Sequence, residues 1–178
     1  MALKATILKV KLSLSDMDRH VYQDFSFTVA QHPSETDQRL MVRILTFALN
    51  ACEGLEFTKG LCEEDEPELW HVNYSQEIEL WIDLGLPDDK RVKKASNRSK
   101  KVRVYTYGEG AQDIWWQKNA QKLNKMDNLE VFSLPFAVTQ ELAGMISRGM
   151  QLSVTVQDGQ VWFSDENNSV LIEPIQLK

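Results

Sequence analysis

The feature that most constrains this chain is the order of predicted elements between residues 34 and 107. Apolar residues recur at helical spacing from Leu40 to Leu49, with Ser34 as the expected N-cap and Gly54 after the helix end. Three short strands, a second helix and a fourth strand follow. This α-β-β-β-α-β order predicts antiparallel strands and then a helical crossover to a further strand, which is a mixed α+β sheet.

The strands of this block are expected near residues 55–58, 68–73 and 79–84. Alternating apolar residues from Ile78 to Leu84 give the third strand a clean apolar face. The second helix is predicted from Asp88 to about residue 101, with Val92 and Ala95 on a narrow buried stripe. A strand over 102–107 completes the block. Most basic side chains of the block are therefore expected on the second helix.

Alternating hydrophobicity predicts β-hairpins at both ends of the chain. The first covers residues 8–14 and 21–29, and the second covers 152–156 and 161–163 around Asp158-Gly159. Between the block and the second hairpin we expect a helix over 111–126 with Ile114, Trp115 and Leu123 inside, a strand over 129–134 and a helix over 139–148. A last strand is expected over 170–175. We therefore expect one domain over 1–178, with a core at 34–107 and added hairpins at 1–30 and 150–178.

Composition narrows the class of protein. A formal net charge of −6 gives no general attraction to nucleic acid, so such binding would need a local basic patch. No apolar run is long enough to span a membrane, and lysines interrupt the first apolar segment, so we expect no membrane association and no signal peptide. Cys52 and Cys62 are expected to be free thiols of a cytoplasmic protein. No motif for haem, flavin or a nucleotide cofactor is found.

Charge is segregated in the middle of the chain. Five carboxylates lie between Glu63 and Glu68, and eight of the twenty basic residues lie between Lys90 and Arg103. A solvated acidic loop beside a solvated basic helix is one interpretation. The other is that both runs converge on one cleft.

Glu68 and Asp83 support the second interpretation. Glu68 begins one predicted strand and Asp83 lies near the end of the next, so antiparallel pairing would bring them together. Facing carboxylates repel unless a cation holds them, and Mg²⁺ binds to one or two carboxylates with water. Exposed residues at a strand edge are the alternative.

Pro67-Glu68, a spacer and Asp83-Leu84-Gly85 resemble the PD-(D/E)xK nuclease pattern. More specifically, the chain resembles the YaeQ family over nearly its whole length. The strings that carry this resemblance are MALKATI at the start, HPSET (32–36), FTKGL (57–61), DEPELW (65–70), ELWIDLGLPDD (79–89), RVKKA (91–95), IWWQ (114–117), QDG (157–159) and WFSD (162–165).

The resemblance implies a restriction-endonuclease-like core with extra strands at both ends. It implies metal ligation by Glu68 and Asp83, with Mg²⁺ or Mn²⁺ as the ion, and a further catalytic carboxylate at Glu35 on the first helix. The sequence departs from the pattern at Gly85, where a lysine is expected two residues after the acid, about 6.6 Å along the same strand face.

A lysine from the following helix is the expected replacement. Lys94 lies nearer the buried stripe than Lys90 and is our candidate catalytic lysine, with Lys93 second. Arg91 lies closer still, but a guanidinium does not deprotonate. Lys90, Arg91, Lys93 and Arg98 are the candidate phosphate contacts for DNA or RNA.

Two functional hypotheses follow. The first is a divalent-metal-dependent nuclease or nuclease-like nucleic-acid-binding protein, in which metal-bound water attacks a phosphodiester. The second is a catalytically inactive protein that uses the fold to bind a protein partner. The acidic net charge and Gly85 favour the second hypothesis, and the clustered acids and bases favour the first.

Overall fold

The computed structural model describes residues 3–59, 61 and 63–178. Within them it has eleven strands and four helices, in the order expected from the sequence. The strands are β1 (Thr6–Asp16), β2 (Val21–Gln31), β3 (Leu55–Phe57), β4 (Leu69–Val72), β5 (Ile78–Leu84), β6 (Ser99–Thr106), β7 (Leu129–Ser133), β8 (Gly149–Gln157), β9 (Gln160–Ser164), β10 (Ser169–Ile172) and β11 (Ile175–Gln176). The helices are α1 (Asp37–Asn50), α2 (Asp89–Arg98), α3 (Ala111–Leu123) and α4 (Phe136–Ala143). A mixed α+β fold is confirmed.

The chain forms two compact units. The first contains residues 3–51 and 137–174, and the second contains 52–136 and 175–178. The assignment of one domain with a core at 34–107 stays a prediction.

The first unit is built on a five-stranded mixed sheet of order β10-β9-β8-β1-β2. The two predicted hairpins, β1–β2 and β8–β9, are both antiparallel, and β1 pairs with β8 in parallel. Alternate residues of β1 from Leu8 to Leu14 are buried, as their period of two requires. The two predicted hairpins therefore belong to one sheet.

The second unit is built on a six-stranded mixed sheet of order β11-β7-β6-β5-β4-β3. Strands β4 and β5 are antiparallel, and helix α2 crosses from β5 to the parallel strand β6, as expected. One face of this sheet packs on α2 and α3 through a cluster that includes Trp81, Val92, Ala95, Val102 and Trp115. Helix α2 packs mainly against β6 and α3, and its first turn follows soon after the end of β5.

The start of α1 corrects one expectation. Thr36, not Ser34, is the N-cap, and its hydroxyl accepts from the Arg39 amide at 3.1 Å. Ser34 instead lies 2.6 Å, hydroxyl to Nδ1, from His32. The helix begins two residues later because the side chain of Thr36 caps it and that of Ser34 is used in the preceding turn.

Other differences concern boundaries and one buried face. Helix α2 ends at Arg98, so the basic residues from Lys100 onward lie on β6. On α3, Trp115 and Leu123 are buried as expected, but Ile114 is 69% exposed because the inner line follows every fourth residue from Trp115. Helix α4 lies three residues earlier than expected at its start. The predicted last strand is divided between β10 and β11, which lie in different sheets.

Two further expectations concern the cysteines and membrane-spanning helices. Cys52 is a free, exposed thiol, and Cys62 lies outside the described residues. None of the helices in the described ranges is both long and apolar enough to cross a membrane.

Candidate functional site

The pairing of β4 with β5 brings Glu68 near Asp83. Leu69, the first residue of β4, is opposite Ile82, and the amide of Glu68 just before the strand donates to the Ile82 carbonyl at 2.9 Å. Glu68 therefore lies beside the end of β5 that carries Asp83. Both residues are buried, at 4% and 2% exposure. The sequence predicted this proximity, and the burial excludes a pair of exposed edge residues. That the two carboxylates share one face stays a prediction.

Arg91 binds the Asp83 carboxylate with a two-point fork. Its Nε donates to Oδ2 at 3.0 Å, and one terminal nitrogen donates to Oδ1 at 2.9 Å. Arg91 lies in the first turn of α2, where its amide donates to the Asp88 N-cap at 2.7 Å. Both oxygens of Asp83 are thus occupied by one permanently charged group, in the geometry that makes arginine–carboxylate pairs strong.

Arg91 also holds the acidic loop, which we define as residues 63–66. Its terminal nitrogens donate to the carbonyls of Glu64 and Glu66, each at 2.8 Å. Lys94 bonds the Asp65 carboxylate, and Arg98 donates to the Asp65 carbonyl at 2.9 Å. The hydrogen bond from Lys94 is the main cause that lowers the pKa of Asp65 below its ordinary value of 3.8. The acidic and basic runs therefore meet in this unit.

Gly85 explains why the strand lysine is missing. Its φ of +86° lies in the left-handed region, where side chains other than glycine are strained, and its amide donates to the Tyr105 carbonyl at 2.9 Å. A lysine here would require the end of β5 to change its path.

Two of the four candidate phosphate contacts, Arg91 and Arg98, already bind groups of the second unit, and so does the candidate catalytic lysine, Lys94. Arg91, Lys94 and Arg98 bind Asp83 or the acidic loop, as described, and Arg98 also lies over the Trp81 ring, 5.3 Å from its centroid. On β6, Lys100 pairs with Glu77 and Glu79, while Lys101 and Arg103 pair with Glu130. Lys90 and Lys93 are exposed and form no ion pair within the described part of the chain.

Glu35 belongs to the first unit and has its own buried cation. One terminal nitrogen of Arg43 lies 3.0 Å from Oε1 and 2.9 Å from Oε2 of Glu35. Both side chains are almost fully buried. Arg43 lies on α1, so the pair fixes the segment that leads into this helix.

Sequence reasoning missed a cleft beside the edge of the second sheet, with a volume of about 1130 Å³. Trp70 and the fully exposed Tyr74 provide aromatic surface, and Glu53 and Glu56 provide negative charge. Glu56 is opposite Trp70 in the register of β3 and β4, so these two side chains share a face. The alternation of residues in DEPELW could have indicated this cleft, because it predicts Glu68 and Trp70 on the same side of one strand.

No group of three or more His, Cys, Asp and Glu side chains arranged for a metal ion is found in residues 3–59, 61 and 63–178. Of the two carboxylates, that of Asp83 is compensated by Arg91. The site as built is a buried acidic pair under a basic helix, closed by an acidic loop.

Fold and site together define a mixed α+β protein with two mixed sheets, one of which carries this acidic pair. Its full-length resemblance to known proteins is consistent: the YaeQ protein family matches residues 1–174. The chain belongs to the YaeQ family.

Relatives and solved structures agree with this assignment. "Uncharacterized protein YaeQ" of Escherichia coli K12 is 45% identical over 170 residues, which are 96% of this chain and 94% of the relative. The protein of the same name from Salmonella typhi is 43% identical over 173 residues, covering 97% and 96%. The crystal structure of YaeQ protein from Xanthomonas axonopodis pv. citri superposes with a TM-score of 0.96 at 46% identity, covering 98% of each chain. That of YaeQ protein from Pseudomonas syringae gives 0.93 at 31% identity, covering 98% and 96%.

Proposed function

We propose that this chain is a nuclease-like scaffold that binds a protein partner and does not hydrolyse phosphodiesters. The order α1-β3-β4-β5-α2-β6 and the neighbouring, buried Glu68 and Asp83 support descent from a PD-(D/E)xK nuclease core. The observation that carries the proposal is the Arg91 fork on Asp83, which occupies the carboxylate that a nuclease would offer to its metal ion.

Charge and geometry both oppose a metal at this position. A metal ligated by Asp83 would need an oxygen that Arg91 now binds at 2.9 or 3.0 Å. The guanidinium cannot lose its charge, so it would stay beside the ion and repel it. The Mg²⁺ or Mn²⁺ expected from the family resemblance therefore does not fit the residues as they are arranged.

The basic run gives little support for a phosphate surface. Five of its cations are paired with carboxylates of the second unit: Arg91, Lys94, Lys100, Lys101 and Arg103. Binding to nucleic acid releases counterions only where free cations neutralise phosphates. Two exposed lysines, Lys90 and Lys93, form too small a patch for a chain of net charge −6.

The cleft at Trp70 and Tyr74 is the surface that fits a protein partner. Aromatic faces attract cations, and the carboxylates of Glu53 and Glu56 add a second attraction for the same charge. Arg98 also lines the cleft, but its guanidinium is engaged by the Asp65 carbonyl and the Trp81 ring. A partner segment that presents lysine or arginine is therefore the chemistry this cleft favours.

The test has two measurements. Calorimetric titration of the wild type with Mn²⁺ is expected to give no binding, whereas Arg91→Leu exposes Asp83 and gains Mn²⁺ binding; Lys93→Leu is the matched control and gains none. Fluorescence anisotropy with a labelled oligolysine peptide is expected to show binding that Glu56→Gln and Trp70→Ala each weaken. Specific Mn²⁺ binding by the wild type together with cleavage of DNA or RNA would overturn the proposal, and equal peptide binding by all variants would remove the cleft from it.

A metal-dependent nuclease is the second candidate, and the burial of Glu68 close to Asp83 is what favours it. In that case activity requires Mg²⁺ or Mn²⁺, disappears with chelator and disappears in Asp83→Asn. The assigned roles of Glu35 and Lys94 would be tested by Glu35→Gln and Lys94→Ala. Because Gly85 is in a left-handed conformation, Gly85→Lys is a poor way to restore the pattern, and Arg91→Lys is the better variant.

A further inference from the structure

Strand β2 is a long open edge of the first unit's sheet. It has eleven residues and pairs with β1 on one side only, within the described residues. The strands at the other sheet edges are much shorter: β10 has four residues, β3 three and β11 two. Short edge strands are one way in which proteins avoid pairing with other chains, and the long strand β2 lacks this protection.

Hydrogen-bond parity identifies the backbone groups that point outward from β2. The amides of Lys9 and Met17 donate to carbonyls on the β8 side, so the even-numbered residues of β1 point to β2. The register pairs even residues of β1 with odd residues of β2. The even residues of β2 therefore direct their N–H and C=O groups to the open edge.

One contact supports this assignment independently. The carbonyl of Ala30, an even residue, accepts from Arg43 on α1 at 3.3 Å. Arg43 thus covers the last outward position. The outward row that remains is Tyr22, Asp24, Ser26 and Thr28, and all four residues are exposed.

The usual protections of an edge are missing from β2. The strand contains no proline, lysine or arginine, and its register with β1 runs without interruption from residue 21 to 31. Charged side chains, prolines and bulges are the devices that keep edges unpaired. Only Asp24 carries charge on the outward row.

We propose that the open edge of β2 pairs antiparallel with β2 of a second copy of this chain, about a two-fold axis at Phe25. In this register Tyr22 lies opposite Thr28 of the second copy, and Asp24 lies opposite Ser26. All four outward residues then pair with one another, and Ala30 keeps its bond to Arg43. The carboxylate of Asp24 meets a hydroxyl donor.

Neighbouring registers are worse for identifiable reasons. A two-fold at Asp24 would place this carboxylate opposite its own copy, and like charges in facing positions repel. A two-fold at Ser26 would need the Ala30 carbonyl that Arg43 already binds. The register centred on Phe25 is therefore the symmetric one that places no like charges opposite each other and does not need the Ala30 carbonyl.

The experiment measures self-association of the full chain by sedimentation velocity over a range of concentrations. The wild type is expected to form a concentration-dependent dimer. Ser26→Asp places two carboxylates opposite each other at two symmetric positions and should weaken the dimer about tenfold. Ser153→Asp, the same change on the interior strand β8 of the same sheet, should leave it unchanged.

Hydrogen exchange gives the direct readout of the interface. The amides of Tyr22, Asp24, Ser26 and Thr28 should exchange more slowly at high than at low protein concentration. The odd-numbered amides of β2, which already bond β1, should not change. A wild type that stays monomeric, or a dimer in which these four amides exchange at one rate at all concentrations, would overturn the proposal.

Discussion

The Glu35–Arg43 pair of the first unit and the Asp83–Arg91 pair of the second both join an arginine to a buried carboxylate, but they differ in how far the arginine is exposed. In the first unit, Glu35 and Arg43 expose 2% and 4% of their side chains, and Arg43 is enclosed together with its acid. In the second unit, Asp83 exposes 2% but Arg91 exposes 30%, and Arg91 also holds carbonyls of the acidic loop. The first pair is sealed, whereas the second has its cation at the surface.

The difference teaches which of the two pairs can respond to a ligand. Breaking a sealed pair leaves a charge that no water can reach, so the pair is a fixed part of the fold. A cation that is partly in water can leave its acid at lower cost. The Asp83–Arg91 pair is therefore the one that can open, and the acidic loop would move with it.

The largest expected effect comes from breaking the sealed pair. Arg43→Met keeps the volume of the side chain but leaves Glu35 buried without its cation, which should lower the free energy of unfolding by about 3–5 kcal/mol. Urea denaturation of the variant and the wild type measures this change.

The matched control is the double variant Glu35→Gln/Arg43→Met. It removes both charges and should recover part of the lost stability, because no uncompensated charge remains. A double variant as unstable as Arg43→Met would show that packing, rather than charge, makes this position sensitive.

An intermediate effect is expected at the open pair. Asp83→Asn removes the charged acceptor of Arg91, and hydrogen bonds to charged groups contribute about 1.5–3 kcal/mol. Because Arg91 can turn to water, the loss of stability should be smaller than for Arg43→Met. Amides of the acidic loop should also exchange faster with solvent.

Asp89→Asn is the control for this variant, since it breaks the exposed ion pair with Lys122 and leaves Arg91 in place. It should cost only a little stability, because its ion pair is exposed, and should not change loop exchange. If Asp83→Asn destabilised the protein as much as Arg43→Met does, the partial exposure of Arg91 would not lower the cost of breaking its pair. The difference inferred between the two pairs would then be wrong.

The smallest effect is expected at the exposed pair of Lys94 and Asp65. Its contribution to stability is present above the ordinary pKa of Asp65, 3.8, and is lost as the pH falls through the lower value of the folded state. Asp65→Asn should therefore cost a little stability at neutral pH and less at pH 3, as urea denaturation at both values would measure. Lys90→Ala should match the wild type at both, and a stabilised Asp65→Asn at neutral pH would contradict the assignment.

The sequence predicted those parts of the fold and site that depend on periodicity and strand direction. Glu68 and Asp83 come close because β4 and β5 are consecutive antiparallel strands, so the start of one lies beside the end of the other. The Arg91 fork was not predicted as a contact, since the reach of a side chain depends on how α2 packs on the sheet. Its bonds to the carbonyls of Glu64 and Glu66 involve backbone groups, which carry no sequence signal.

The N-cap of α1 and the division of the last strand also could not be predicted from the sequence alone. Ser34 and Thr36 are both good N-caps, and only the structure decides between them. The division of the last strand into β10 and β11 depends on which sheet each segment reaches, which alternation alone does not encode.

The parallel pairing of β1 with β8 has a consequence for synthesis on the ribosome. About 130 residues separate the end of β1 from the start of β8, and the Asp18 carboxylate accepts from the amides of Asp158 and Gly159 in the β8–β9 hairpin. At elongation rates of about 5–20 residues per second, the nascent hairpin of β1 and β2 waits roughly 7–26 seconds for its neighbour. Strands β3 to β7 of the second unit are made before β8, so they can pair before the first unit's sheet is complete.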